Sequence, residues 1–452
     1  MLLLADYILP ISSSPIKKGA LLVRDGVIVN IGSAESLLAH YPDEEVKDFG
    51  TAALMPGLVD LHTHLESSVL RGLIKDAPYV SWMADVIEKS VHMNALDWYH
   101  SAMLGGLEAL QAGITCLADI SATGAVFKAV NQLGLRSVIY REVGAMDKRR
   151  IDFALKQAYK DVDTWQEEAS ELVNVGIAPA PLYVCNPAIL KLVSKYAKEH
   201  NLPVALHVAA SREEYDFIMR GTSTLAVHKN ETPRGYLEIP PWLPAGVTPV
   251  NYALNWGAFD SGNVLALHCI HVNYEDIEKL KQRDVAIAIC PRANAQLGMG
   301  QAPFDEYLRR GLRVGLGTDS PAATDSTDML TEMRIGMLVQ RAVNPRHFID
   351  AHTMLEMATL GGARALKLDH RIGSLEVGKE ADIIAVDLSG SHHDASTDPV
   401  AMLVNTASAS EVLMTMVAGK ILYEQSQWQL DVNVVEHVSS AIGIRNKILS
   451  QS

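Results

Sequence analysis

The strongest constraint on the fold is a regular alternation through the middle of the chain. Short apolar or β-branched runs occur at Leu58–His64, Ile114–Asp119, Arg136–Arg141, Val175–Ala180, Val204–His207, Val264–His268, Val285–Ile289 and Val314–Asp319. Helix-like segments separate most of them, among them Leu96–Ala112, Ala125–Leu133, Pro187–His200 and Tyr274–Arg283. Eight such runs with intervening helices predict an α/β fold closed as a (β/α)8 TIM barrel rather than an open sheet. A barrel of this kind builds its active site at the C-terminal ends of its strands. His62 and His64 close the first run, His207 the fifth, His268 the sixth and Asp319 the eighth. A lone histidine in an apolar run is usually a satisfied core residue. Four histidines and an aspartate at the same end are hard to treat as independent accidents.

The His62-x-His64 pair is the sharpest local signal. Residues two apart on a strand point to one side, so both imidazoles leave the same face. Imidazole suits zinc and its neighbours, and a catalytic zinc site takes three protein ligands and keeps a position for water. Taken alone, the pair also fits a polar strand rim. The further His and Asp at strand ends favour the metal.

Both ends of the chain read as short strands. Ala20–Val23 and Val27–Ile31 flank Asp25-Gly26, a dipeptide that supplies the positive φ of a tight hairpin turn. The later runs Ala381–Leu388, Val412–Val417 and Ile421–Tyr423 have the same character. The simplest arrangement pairs residues 1–55 with 370–430 in one small β-sandwich, beside a barrel domain over 56–369 and a closing helix within 431–452. Two unrelated β appendages are the alternative.

Composition narrows the function. With 452 residues, 48% of them hydrophobic, the chain can bury a large core. A formal net charge of −14 with scattered basic residues argues against a nucleic-acid backbone or an anionic membrane surface as partner. Cys116, Cys185, Cys269 and Cys290 form no C-x-x-C, so neither a disulfide framework nor a structural zinc site is expected. The opening MLLLADYILP lacks the basic flank and cleavage site of a secretion signal, and no run is long enough to cross a bilayer. A soluble chain in a reducing cytoplasm is the expectation.

PGLVDLHTHLE at Pro56–Glu66, HCIHV at His268–Val272, CPRANAQLGMGQAPF from Cys290, VGLGTDSPA from Val314 and GSLEVGKEADIIAVD from Gly373 together resemble the amidohydrolase superfamily. The resemblance is to its cytosine-deaminase-like, chlorohydrolase-like branch, which includes aminodeoxyfutalosine, adenosylhomocysteine and guanine deaminases. It implies a metal-bearing barrel flanked by a small β-sandwich from both termini. It implies His62, His64, His207 and Asp319 as ligands of one divalent ion, zinc first, with iron or manganese as alternatives. One ion is expected because no lysine near Val175–Tyr183 is available to be carboxylated and bridge two. Asp319 would also handle the proton of the attacking water, and His268 would hold and polarise that water or the substrate. The implied reaction is hydrolysis of a non-peptide C–N bond, most simply deamination of an aminated purine, pterin, pyrimidine or aminodeoxyfutalosine-like ring. Members often form dimers, which leaves a homodimer open.

Two departures fall in the half of the site that protonates substrate. The family's His-x-x-Glu reads His207-Val208-Ala209-Ala210 here, and its Pro-His-x-Pro-Tyr reads Pro179-Ala180-Pro181-Leu182-Tyr183. Another acid can have taken over, Glu66 being the best placed by sequence, with Glu213 and Glu214 farther along. Alternatively the substrate needs no ring protonation, as when another group is displaced from a triazine-like or cyclic amide substrate. The third alternative is a barrel that binds metal and ligand without turnover. Among other candidates, Arg71 and Trp82 lie in the long loop after the first run, where an arginine can pair with an anion and a tryptophan can stack on a ring. Arg141 and Glu142 can bind substrate or pair with each other, and the Ser320 hydroxyl lies next to Asp319. Asp119, Arg292 and Asn294 read as structural.

Overall fold

The computed structural model describes residues 1–74, 76–225, 244–393 and 398–451. Eight parallel strands form one sheet in chain order: β1 (Leu58–Thr63), β2 (Ile114–Ser121), β3 (Arg136–Val143), β4 (Val173–Pro179), β5 (Val204–Val208), β6 (Val264–His268), β7 (Ala286–Ile289) and β8 (Val314–Leu316). The sheet closes where β8 returns to β1. Asp319 pairs with Thr63 in a parallel bridge, and its N–H donates to the His62 carbonyl at 2.7 Å. Gly317 permits this approach, because a Cβ there would lie 2.8 Å from the His62 nitrogen. The eighth run therefore leaves regular strand geometry at Leu316, before its aspartate.

Strand alternation sorts the side chains. Val59 and Leu61, Cys116, Ala118 and Ile120, Val138 and Tyr140, Leu265 and Leu267, and Ala286 and Ala288 form one buried cluster inside the barrel. The intervening residues join the surrounding helices in a larger core. Those helices include α1 (Tyr79–Ser90), α2 (Ala95–Gln111) and α3 (Ile151–Glu168). Helix α2 starts at Asn94, whose Oδ1 accepts the Leu96 and Asp97 N–H groups while Asp97 accepts from Asn94 N, a reciprocal cap that satisfies orphan donors.

The termini do pair with each other. A nine-stranded sheet combines strands from Leu2–Ile8 to Ala52–Pro56 with strands from Ile383–Asp387 to Gln427–Trp428. The join is antiparallel pairing of Ala52–Pro56 with Ile383–Asp387. The sheet curls so that its Val27–Ser33 edge folds back over the strands from the C-terminal part: Val27 bridges Glu380, and a Cβ on Gly419 would lie 2.6 Å from Gly26 Cα. One apolar cluster, with Leu3, Leu21, Leu54, Ile383 and Met416, fills the curl. The closing helix α4 (Val434–Gln451) braces the loop after β1, where Arg445 Nη1 donates to the Val69 carbonyl at 3.0 Å. Among the described residues no helix is long and apolar enough to cross a membrane.

Candidate metal centre

Four imidazoles and one carboxylate meet where the barrel strands end. His62 Nε2 lies 3.5 Å from Asp319 Oδ1, His64 Nε2 4.0 Å from the same oxygen, and His268 Nε2 3.8 Å from Asp319 Oδ2. The His207 ring centroid is 4.9 Å from that of His62 and 5.7 Å from that of His64. Two triads, His62–His64–His207 and His62–His268–Asp319, each present ligand atoms within 4.8 Å of one another. Four donors around one zinc ion at bond lengths near 2.1 Å sit roughly 3.4 Å apart, so this spacing suits a shared ion.

The chemistry of the donor set fits as well. Among the described residues, His62 Nε2 and His207 Nδ1 are buried with no hydrogen-bond partner. Buried polar atoms are nearly always satisfied, and an imidazole nitrogen left without a partner beside a carboxylate is what a cation would satisfy. Burial, with His64 and His268 alongside, holds the His62 imidazole well below its usual pKa. Burial and the neighbouring imidazoles do the same to His207, and burial lowers His268. All three are therefore neutral at pH 7, the form that binds metal.

The surrounding chain fixes these groups. Asn294 Oδ1 lies 3.0 Å from His268 Nδ1, which assigns the proton to Nδ1 and leaves Nε2 facing Asp319. Asp60 Oδ1 accepts from the backbone of His62 and Thr318, and Oδ2 from the Thr318 hydroxyl, so one buried carboxylate ties β1 to the Asp319 segment. Ala209, His268 and Asp319 all have positive φ, at 54°, 69° and 63°. For non-glycine residues this conformation is sparsely populated and costs on the order of 1 kcal/mol or more at each position. Such strain persists where surrounding bonds over-determine it.

The other sequence candidates divide. Ser320 adjoins the centre, sharing a hydrogen bond with Ser67 Oγ at 2.7 Å and capping Ala322 N at 3.2 Å. Trp82, on α1, donates from Nε1 to the Ala322 carbonyl at 3.2 Å, so it packs beside the Asp319 segment. Arg71 is turned to Glu108 of α2. Arg141 points out through the barrel wall to Asp161 of α3, with Nε 2.8 Å from Oδ2. The structure does not bring these two cations to the mouth. Glu66 lies near the centre, but its carboxylate accepts from Ser121 Oγ, Ala122 N and Thr123 Oγ1 at 3.1, 3.1 and 2.8 Å. Asp119 accepts from Thr63 Oγ1 and Leu65 N, and Arg292 pairs with Glu332, as structural readings of both require.

Tyr79, on α1, is a site neighbour that sequence reasoning missed. Its hydroxyl shares a hydrogen bond with that of Tyr183, and both rings lie within electrostatic range of Glu214. Only the tertiary approach of α1 to the loop after β4 creates the pair. Glu214 itself accepts from Ala209 N and Ala210 N at 3.0 and 2.8 Å, pinning the loop after β5. Its Ser211-x-x-Glu214 spacing was a readable helix-cap signal.

Comparison with known proteins places this site in context. The amidohydrolase family profile matches residues 53–422. The chain is 32% identical over 376 residues to the 5-methylthioadenosine/S-adenosylhomocysteine deaminase of Thermoanaerobacter pseudethanolicus, covering 82% of each chain. Its structure resembles that of a zinc-bound adenosine deaminase from Xanthomonas campestris, with a TM-score of 0.85, 26% identity and coverage of 99% of this chain and 98% of the other. It also shares its fold with a zinc-complexed atrazine chlorohydrolase from Arthrobacter aurescens, with a TM-score of 0.82, 21% identity and coverage of 98% and 99%.

Proposed function

The chain belongs to the amidohydrolase family, and from that premise we propose that it is a metal-dependent aminohydrolase releasing ammonia from an aminated heterocycle. One observation carries the proposal: His62, His64, His207, His268 and Asp319 meet in two overlapping triads that share His62, with two buried ring nitrogens that the described residues leave without a partner. In this reading His62, His64, His207 and Asp319 hold one divalent ion, zinc first, while iron and manganese accept the same donor set. Such an ion supplies Lewis-acid chemistry and makes water a nucleophile near neutral pH.

The remaining work falls to the chain. The Asp319 carboxylate takes the proton of the attacking water and passes it on toward the departing amine. His268, its tautomer set by Asn294, orients that water or the substrate from the opposite side. The names of the relatives put an adenine nucleoside such as 5′-methylthioadenosine or S-adenosylhomocysteine at the head of the candidate substrates.

Elemental analysis, followed by ammonia release from 5′-methylthioadenosine, S-adenosylhomocysteine, adenosine, a pterin and cytosine with and without chelator, tests the reading. About one metal equivalent per chain with chelator-sensitive ammonia release is the expected result. Bound metal with no ammonia from any substrate overturns the aminohydrolase assignment. Absence of metal after loading overturns the ligand set.

A further inference from the structure

Besides Asp319, four carboxyl groups lie near the barrel mouth, and three of them accept hydrogen bonds from the chain, although Asp119 does so through Oδ2 alone and its buried Oδ1 has no partner among the described residues. Glu66 is held by Ser121, Ala122 and Thr123, Asp119 by Thr63 and Leu65, and Glu214 by Ala209 and Ala210. Glu142 differs: among the described residues its carboxyl group takes part in no hydrogen bond or ion pair. Glu142 is partly exposed, so its carboxyl group is open at the mouth and available to a ligand rather than committed to a donor of the chain.

Strand geometry says which way it faces. Val138 and Tyr140 belong to the cluster inside the barrel, and Glu142 is the next residue on the same face of β3. Arg141, one residue earlier, points outward to Asp161. The groups that act electrostatically on Glu142 include the metal-site His64 and Glu66, and Glu142 acts in turn on Tyr183. Burial raises its pKa.

The neighbouring positions carry small residues. Glu142 pairs in register with Ala178 on β4, and Ala180 N bonds to the Val143 carbonyl at 2.8 Å. Gly144 and Ala180 approach so closely that a Cβ on Gly144 would lie 2.6 Å from Ala180 Cβ. The Glu142 carboxyl therefore lies beside the small side chains of Ala178 and Ala180, within electrostatic range of His64, with no hydrogen-bond donor from the described residues.

We propose that Glu142 is a substrate-binding and specificity-determining residue that takes the N–H-bearing edge of the heterocycle and presents its amine-bearing carbon to the metal centre. The inference rests on the aminohydrolase reading and deepens it. The chemical class it selects is a ring whose edge carries an N–H donor, an exocyclic amine or a protonated ring nitrogen, rather than a carboxylate or phosphate.

The test uses whichever substrate of the ammonia panel the zinc-loaded wild-type chain turns over, with kcat and KM measured for Glu142→Ala and Glu142→Gln. Zinc content and thermal midpoint are recorded on the same samples. The alanine variant is expected to raise KM roughly 10- to 100-fold, the range of a lost hydrogen bond to a charged group, with zinc content unchanged. Glutamine keeps an oxygen acceptor and is expected to recover part of that loss. Both variants within twofold of wild type in kcat/KM overturn the Glu142 assignment and leave the aminohydrolase reading intact. Lost zinc, or a collapsed thermal midpoint in both variants, also overturns it by showing a structural role. No ammonia from the wild-type chain with any substrate overturns both.

Discussion

Replacing Arg136 with methionine is expected to cost about 4 kcal/mol of unfolding free energy, although the residue lies at the end of the barrel opposite the metal centre. Arg136 opens β3 and its side chain is 1% exposed. Nε and Nη2 donate to the two oxygens of Asp382 at 2.7 and 2.9 Å, and Nη2 also donates to Glu380 at 2.6 Å. Asp382 is equally buried, and its Oδ1 accepts from Ala418 N at 2.8 Å in a turn of the terminal sheet. One guanidinium therefore locks the barrel to that sheet. Methionine preserves much of the stem's packing but strands the Asp382 charge, and breaking a buried pair from one side costs roughly 3–5 kcal/mol. Glu380 is partly exposed and adds little. Adding Asp382→Asn removes the stranded charge while keeping an acceptor for Ala418 N, so the double variant should recover on the order of 1 kcal/mol or more. Urea unfolding, followed by tryptophan fluorescence and far-ultraviolet circular dichroism, measures both steps. A single variant within about 1 kcal/mol of wild type, or a double variant no better than the single, refutes the reasoning.

Further expectations follow from the site. His62→Ala and Asp319→Asn should each lower metal content and abolish chelator-sensitive turnover; full metal occupancy in either would remove that residue from the ligand set. Glu66→Gln should keep metal and retain turnover to within about tenfold, since its oxygens already serve the Ser121–Thr123 turn, whereas a loss beyond a thousandfold in kcat with metal intact would make Glu66 the general acid. Burial lifts the Glu214 carboxyl to about 7, outweighing the N–H donors of Ala210, Ala209 and Ser211. The native state keeps this proton while the unfolded chain loses it near pH 4.5, so its stabilising contribution is full below that pH and is lost as pH rises toward 7. Glu214→Gln cannot ionise, and its stability deficit against wild type should shrink between about pH 4.5 and 7. A deficit constant across that window in pH-dependent unfolding contradicts the shift.

The sequence by itself determined the architecture and the strand ends at which the proposed metal ligands sit. Strand and helix periodicities are local, so eight alternating runs identify a barrel, and the placement of His62, His64, His207, His268 and Asp319 at run ends follows from the fold rule for such barrels. Arg292 reads as a loop-fixing residue and does pair with Glu332, whereas Asn294, read the same way, reaches His268 instead, a partner that spacing along the chain does not show. Only the tertiary structure decided the direction and partners of the remaining polar side chains. Arg141 and Glu142 are adjacent in sequence, yet strand pleating puts them on opposite faces of β3 and sends Arg141 to Asp161. Arg71 carries the same charge whether it meets a substrate anion or Glu108, and the choice rests with helix α2. Glu66 is two residues from a proposed ligand, but the donors that hold it come from 55 to 57 residues away. A carboxylate's role depends on which donors reach it first, and that is a property of packing rather than of spacing along the chain.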